Sequence, residues 1–366
     1  MDITINREVL LRPLQLVANA VDRKQALPIL GNLLLQADDS YLSLTGTDLE
    51  VEMVAKVPIE ALRQQGTTTV SAKKLLDIVR NLPDGSDISF KLEPERLVVK
   101  TGRSRFSLAT LAVADYPRID DWQPLCELTL AQGALKRLLD RTTFSMAVLD
   151  VRYFLNGLLL ELDGEYLNAV ATDGHRLAMS RLPYAQHGDI RDCILPRKGC
   201  MELAKLLDSE EASVQIAIGD SHLRAQVAGF SLTSKLVDGK FPDYRRVVPR
   251  GLPYLLEAER DALRQALSRA SILSNEKVRG IRFSVSANEL TIAANNPDQE
   301  EALESLEVSY NGPDVEIGFN FSYLLDVLNA IPAERVRIAL QDANSSAVIE
   351  GVGVEHALYV VMPLRL

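Results

Sequence analysis

Three observations predict an α+β protein assembled from internal repeats. Amphipathic helical stretches recur at a constant interval along the chain. Each is followed by runs that alternate apolar and polar residues with the period of a half-buried strand. Helices and strands do not alternate one for one, as the crossover units of a parallel sheet would require, so the sheets are antiparallel and the class is α+β rather than α/β.

The helices come in two sets. Residues 71–81 (SAKKLLDIVRN), 196–206 (PRKGCMELAKL) and 321–331 (FSYLLDVLNAI) begin 125 residues apart. A second set lies upstream at 6–19, 132–145 and 259–270, after the short apolar strands ITI, LTL and YLL. Behind this upstream set stand LLLQADDSYLSLTG, LLLELDGEYLNAVATDG and IRFSVSANELTIAAN. Their turn chemistry, Asp-Asp-Ser, Asp-Gly and Ala-Asn, falls at one matched place and predicts three equivalent hairpins. The other set is followed by ISFKLEPERLVVKTG, VQIAIGDSHLRAQVAG and VRIALQDANSSAVIEG. The chain therefore reads as three repeats of about 125 residues, each made of two successive strand–helix–strand–strand–strand halves. The expected domains are 1–123, 124–251 and 252–366, with linkers near 121–126 and 249–253. Such short linkers fit rigid placement better than a loose tandem array. Units joined at a constant rotation close into a ring or grow as a filament.

Charge is unevenly spread. The net charge is −10, which by itself argues against a nucleic-acid partner. The helical windows 7–24, 71–81, 132–145, 196–208, 259–270 and 321–331 nevertheless hold 16 basic and 9 acidic residues, leaving about −17 for the rest. At the helical period Lys136, Arg137 and Arg141 share a face opposite Leu135, Leu138 and Leu139. Lys198 and Lys205 lie away from Leu203, Leu206 and Leu207, and Arg260 and Arg264 are four apart. One such stripe is the ordinary solvated face of a helix. Its recurrence on equivalent helices points to a phosphate backbone read without base contacts, since no zinc finger, basic zipper or helix-turn-helix is present.

The sequence offers no reaction centre. The GxxxxGK loop, the GxSxG elbow and HExxH are all absent, and Gly351-Val-Gly353 has no fitting third glycine. Cys126, Cys193 and Cys200 lack zinc spacing and read as reduced structural thiols. His175, His187, His222 and His356 are scattered. Asp173 and His175 come together in Thr-Asp-Gly-His-Arg (172–176), but Asp-Gly there makes a hairpin turn more simply than a catalytic pair. No enzyme activity, metal or cofactor is expected. The rival readings are an enzyme at Asp173 and His175, and a protein scaffold that never touches DNA. The absence of a run of about 20 apolar residues and of a signal-peptide layout in MDITINREVLLRP predicts a cytoplasmic protein without a membrane partner.

Nine segments carry a resemblance that spans the chain: LPILGNLLLQ (27–36), LSLTGTDLE (42–50), GRSRFSLATL (102–111), VRYFLNGLLLE (151–161), VATDGHRLA (170–178), TSKLVDGKFPDYRRV (233–247), ILSNEK (272–277), AANNPDQEEA (293–302) and YVVMPLRL (359–366). The sequence resembles the bacterial DNA polymerase III beta subunits, the sliding clamps. The resemblance implies the DNA clamp fold, with three repeated domains, sheets outside and helices lining a ring. It implies a homodimer around double-stranded DNA, opened by an ATP-driven clamp loader complex. The DNA polymerase III alpha subunit, other polymerases and repair proteins would then dock short peptide motifs in one pocket per subunit. The matching pocket positions are Leu155, Thr172, Gly174, His175, Arg176, Leu177, Pro242, Arg246, Val247, Asn320, Tyr323, Ser346, Val360, Val361, Met362, Pro363, Leu364, Arg365 and Leu366. The pattern departs at Val278, where relatives often carry an aromatic, at Asn344, where they carry an apolar residue, and at Leu364, which replaces a Met. The implied DNA contacts are Lys24, Lys73, Arg137, Arg141, Tyr153, Phe154, Arg197 and Lys198. Tyr153 and Phe154, taken as strand neighbours, should point to opposite sides, one into the core. For ring closure, the basic edge strand at 102–111, with Arg103, Arg105, Phe106 and Leu108, is expected to meet Ile272, Leu273, Glu300, Glu301 and Glu304 of another subunit, beside Asp298.

Overall fold

A computed structural model describes residues 1–21, 27–119, 122–184 and 191–365. The first half-repeat is strand β1 (Asp2–Asn6), helix α1 (Arg7–Ala20), then β2 (Asn32–Asp38), β3 (Tyr41–Thr47) and β4 (Val51–Pro58). A short strand β5 (Ala61–Gln64) precedes the second half: β6 (Gly66–Ser71), α2 (Ala72–Asn81), β7 (Asp87–Glu93), β8 (Arg96–Thr101) and β9 (Ser104–Ala109). The third is β10 (Cys126–Ala131), α3 (Gln132–Thr142), β11 (Gly157–Leu162), β12 (Tyr166–Thr172) and β13 (Arg176–Pro183). The fourth is β14 (Arg191–Pro196), α4 (Arg197–Leu206), β15 (Ser213–Ile218), β16 (His222–Val227) and β17 (Phe230–Lys235). The fifth is β18 (Tyr254–Glu259), α5 (Arg260–Ala270), β19 (Gly280–Ser286), β20 (Glu289–Asn295) and β21 (Glu301–Glu307). After β22 (Ser309–Tyr310) the sixth closes the chain: β23 (Val315–Asn320), α6 (Phe321–Ala330), β24 (Arg335–Leu340), β25 (Ala347–Gly351) and β26 (Ala357–Val361).

The strand–helix–strand–strand–strand halves read from the sequence are thus all present, and the class is α+β. Three local expectations change. Cys126 was assigned to a linker but opens β10, because Leu128 and Leu130 alternate into the core behind it. The third helix of the downstream set sits one residue off the even spacing, because Asn320 caps α6 by accepting from the Ser322 amide at 2.9 Å, as Ser71 caps α2. Strands β5 and β22 were not foreseen.

The strands form four antiparallel sheets within two compact units. One unit comprises Met1–Leu135 and Lys198–Leu236. Its sheets run β5-β1-β7-β8-β9 and β10-β15-β16-β17-β4-β3-β2-β6. The other comprises Lys136–Arg197 and Val237–Leu366, with sheets β14-β11-β12-β13-β26-β25-β24-β18-β22 and β21-β20-β19-β23. In each large sheet, strands from successive repeats join directly: β4 pairs with β17, and β13 with β26. The two seams share one register. Val51, Met53 and Ala55 stand opposite Ser234, Leu232 and Phe230, as Arg176, Ala178 and Ser180 stand opposite Val361, Tyr359 and Ala357. Burying alternate residues of such strands fixes that register, since a slip of one would turn the core face outward. Helices close the cores: Leu263, Ala266, Leu267 and Ala270 of α5 meet Leu324, Val327 and Leu328 of α6 over Phe283 and Phe319.

Candidate peptide groove, basic helix faces and open edges

The residues expected to form a peptide groove gather around the hairpin turn between β12 and β13. Thr172 Oγ1 accepts from the Gly174 amide at 3.1 Å and donates to the Arg176 carbonyl at 2.6 Å. Asp173 Oδ1 accepts from the amides of His175 and Arg176 at 2.9 and 3.0 Å. Gly174 takes φ +91°, a conformation that a side chain would strain, so the Asp-Gly pair is a turn device. No group of three or more His, Cys, Asp or Glu stands where it could hold a metal among the described residues.

Arg176 is the hub. Its guanidinium donates to Asp173 Oδ2 at 3.1 Å, to Asp326 Oδ2 on α6 at 2.5 Å and to the Phe144 carbonyl at 2.7 Å. It also lies 4.4 Å from the centre of the Tyr323 ring. With its charge shared among these partners, Arg176 is a satisfied polar group set against the Tyr323 and Phe144 rings. Burial pushes the Tyr323 phenol up, and Asp173 adds to that shift. Leu177 and Val360 are buried with Leu159, Val170, Ile194, Phe241 and Tyr244, and Phe241 and Tyr244 anchor the loop that presents Pro242, Arg246 and Val247 at the surface. Leu155 and Val361 are buried, and Asn320 and Ser346 half-buried. The chain end is tied in: the Met362 amide donates to the His175 carbonyl at 3.0 Å, and the Leu364 amide to the Gly318 carbonyl at 2.8 Å. Met362, His175 and Arg365 are exposed beside half-buried Pro363 and Leu364, with Val278 and Asn344 also exposed. Leu366 lies outside the described residues.

The expected DNA contacts fare unevenly. Lys73 and Arg137 are exposed on α2 and α3, while Arg141 and Arg197 are half-buried. Lys24 lies outside the described residues. Lys198 was read as a surface cation, but its ammonium is engaged: it pairs with Asp48 and donates to the Ala20 carbonyl at the end of α1 at 2.8 Å. Arg260 is likewise removed from the basic face, donating to the Ile331 carbonyl at 2.7 Å. Tyr153 and Phe154 are not strand neighbours. They open a 3₁₀ turn, Tyr153–Asn156, in which the Leu155 amide donates to the Arg152 carbonyl at 2.8 Å. Phe154 packs on the small core beside Phe241 and Tyr244, whereas Tyr153 is 59% exposed.

Of the strands that close a half-repeat, two lie at a sheet edge, β9 and β21. Arg103 just ahead of β9 and Arg105 within it are exposed, Phe106 is half-buried and Leu108 buried. On β21, Glu301 and Leu303 face solvent, and Glu304 is held by Arg269 of α5 at 2.6 Å. Ile272 is 76% exposed in the short turn after α5, next to half-buried Leu273, and Asp298 and Glu300 are exposed ahead of β21.

Comparison with known proteins matches this architecture along its whole length. Models of the DNA polymerase III beta subunit cover residues 1–120 (N-terminal domain), 129–243 (central domain) and 245–365 (C-terminal domain). The chain belongs to the DNA polymerase III beta subunit family. It is 55% identical to the beta sliding clamp of Escherichia coli K12 and 51% identical to that of Vibrio cholerae, with the whole of each chain covered. The crystal structure of the DNA polymerase III subunit beta from Pseudomonas aeruginosa superposes with a TM-score of 0.96 at 52% identity, again covering both chains fully. The same protein bound to griselimycin gives a TM-score of 0.97. The fold is therefore the clamp fold. Sequence reading missed Phe144, Asp173 and Asp326 as partners of Arg176, because they lie on three separate elements. It also missed the brace at Asp150 and Arg152, where the signal was present as two opposite charges two residues apart.

Proposed function

We propose that this chain is a non-catalytic processivity clamp. In this reading it is a cytoplasmic homodimer that closes as a ring of six domains around double-stranded DNA, each chain contributing 1–123, 124–251 and 252–366. A clamp loader complex opens the ring. The DNA polymerase III alpha subunit, other polymerases and repair proteins dock apolar peptide motifs in the groove around Arg176 and Tyr323, as griselimycin-bound relatives invite. The helix cations touch the backbone without reading sequence.

One observation carries the ring. Of the six closing strands of the half-repeats, β4 pairs with β17 and β13 with β26, while β9 and β21 each pair on one side only and leave the other open. These two are the matching kinds: β9 corresponds to β17 and β26, and β21 to β4 and β13. Open edges recruit a strand or must be guarded. A second copy supplies the missing partner for each, and a two-fold axis then closes the set. The basic β9 meeting the acidic β21 adds charge complementarity. The decisive experiment follows retention on DNA. Protein loaded on nicked circular duplex with clamp loader and ATP should survive high salt and be lost once the circle is cut. Equal loss from circular and linear DNA would overturn encirclement.

A further inference from the structure

The turn that leads into a seam strand is built the same way twice. Between β3 and β4, Thr47 Oγ1 accepts from the Leu49 amide at 3.1 Å and donates to the Val51 carbonyl at 2.9 Å. Asp48 Oδ1 accepts from the Glu50 and Val51 amides at 3.0 and 2.8 Å. These are the bonds of Thr172 and Asp173 in the turn between β12 and β13. Leu49 holds a left-handed φ of +79°, as Gly174 does at its place. Each aspartate uses Oδ1 for its own turn and offers Oδ2 to a cation. Asp48 Oδ2 takes the Lys198 ammonium, from the start of α4 in the second repeat. Asp173 Oδ2 takes the Arg176 guanidinium, whose other arm reaches Asp326 on α6 in the third repeat. Each cation also donates to a carbonyl at the end of a repeat's first helix: Ala20, which closes α1, and Phe144, two residues past α3. The side chains of Asp48 and Arg176 are only 13% and 11% exposed, so neither tie is the loose surface pair that solvent screens away.

The third repeat supplies the control. Between β20 and β21, Asn296 stands where the aspartates stand. Its Oδ1 accepts from the Asp298 and Glu300 amides at 3.1 and 3.0 Å, but its other polar atom is an amide nitrogen, which donates to Glu300 Oε2 at 2.6 Å. An amide closes the turn as a carboxylate does, but it has no charge to hold a cation. β21 is also the strand that no further repeat of this chain joins, whereas β4 and β13 run on to β17 and β26. The carboxylate is present where a seam follows and replaced where none does, so it serves the seam rather than the turn. We propose that the Asp48–Lys198 and Arg176–Asp326 ties are positioning devices that fix the angle at which successive repeats join. The consequence for DNA rests on the ring reading above: slack at a seam misplaces the edges that must meet a second copy, so a loaded ring opens sooner.

The test uses the whole protein and the first seam. Asp48→Asn copies the third turn, so the turn is kept and the tie is lost. Lys198→Met removes the other partner. Spin labels on Lys91→Cys and Asp220→Cys, both exposed, one in the first repeat and one in the second, read the distance across the seam. The distance distribution should broaden in Asp48→Asn and in Lys198→Met, and no further when the two are combined. Unlabelled rings of the same variants, loaded on nicked circles, should leave about fivefold faster, with short-duplex affinity unchanged. An unchanged distribution overturns the inference. So does broadening that adds when the substitutions are combined, since partners in one tie do not act independently. Duplex affinity lost in Lys198→Met but not in Asp48→Asn would assign the ammonium to phosphate and also overturn it. A broadened distribution without faster loss overturns the consequence for DNA. Failure of the ring reading has a separate signature, unaltered protein that leaves circular and linear DNA alike, and the distance distribution then still decides the tie.

Discussion

The side chain that opens the first helix of each repeat does one job in three ways. Arg7, at the start of α1, donates to the Val79 and Arg80 carbonyls at the end of α2, at 3.1 and 3.2 Å. Arg260, at the start of α5, reaches the Ile331 carbonyl just past α6. Gln132, at the start of α3, meets the chain beyond α4 by accepting from the Asp208 and Ser209 amides, both at 3.2 Å. Helix C-termini leave carbonyls unsatisfied and carry partial negative charge, so a guanidinium there serves as both hydrogen-bond donor and counter-charge. Arg7 is nearly buried, and its loss removes its bond to the Arg80 carbonyl and leaves the Val79 carbonyl with the Leu82 amide at 3.4 Å. Arg7→Ala should lower unfolding free energy by roughly 1–3 kcal/mol in denaturant titration. A loss below about 0.5 kcal/mol would show that water replaces the guanidinium at no cost. The sequence placed these residues on helices, but counted Arg7 among the helix cations and set Arg260 on a basic face with Arg264. Lys198 was misread for the same reason. Their partners stand 72, 71 and 150 positions away and leave no local pattern.

At the scale of elements the sequence was far more legible. Period-two alternation, period-3.6 stripes and matched turn residues gave six half-repeats in the right order, because each is a local signal repeated three times. Strands β5 and β22 were missed since they are short, exposed at many positions and defined only by the neighbours they pair with. The shared register of the seams makes a sharper statement about the open edges. Val54 faces Ser231 across one seam and Met179 faces Leu358 across the other. Val54 and Met179 stand opposite Thr45 and Val170 in their hairpins, and Leu303 stands opposite the equivalent Ala293. Arg105 in turn follows the β8–β9 turn as Ser231 follows the β16–β17 turn. A subunit contact that repeats this geometry puts Leu303 opposite Arg105, and Glu301 diagonal to Arg105 within reach of its charge. The variant Arg105→Cys with Leu303→Cys should therefore join two chains through a short thiol cross-linker. The three native cysteines are buried and should leave the background low. Cross-linking that favours Arg105→Cys with Ala302→Cys instead would show a slipped register.

For the whole molecule, the balance of charge sets how it can hold DNA. A net charge of −10 repels a polyanion at long range, while exposed cations such as Lys73 and Arg137 attract it at contact. The structure weakens the contact side further, because Arg7, Arg260 and Lys198 are committed to carbonyls and carboxylates within the protein. Equilibrium binding to a short linear duplex should accordingly be weak and independent of sequence. It should fall as salt rises, with a slope of about −0.9 in log–log form for each phosphate neutralised. Removing one exposed cation, as in Lys73→Ala, should flatten that slope by about 1 with little change in stability, since the side chain is exposed. Lys198→Ala should behave in the opposite way. It strands Asp48, which is largely shielded from solvent, so it should lower thermal stability and leave the slope nearly unaltered. Fluorescence anisotropy across a salt series, beside thermal melts of the same variants, separates the two classes. A full unit of lost slope for Lys198→Ala would mean that its ammonium exchanges Asp48 for phosphate when DNA arrives, and that the ion pair is a reserve rather than a tie.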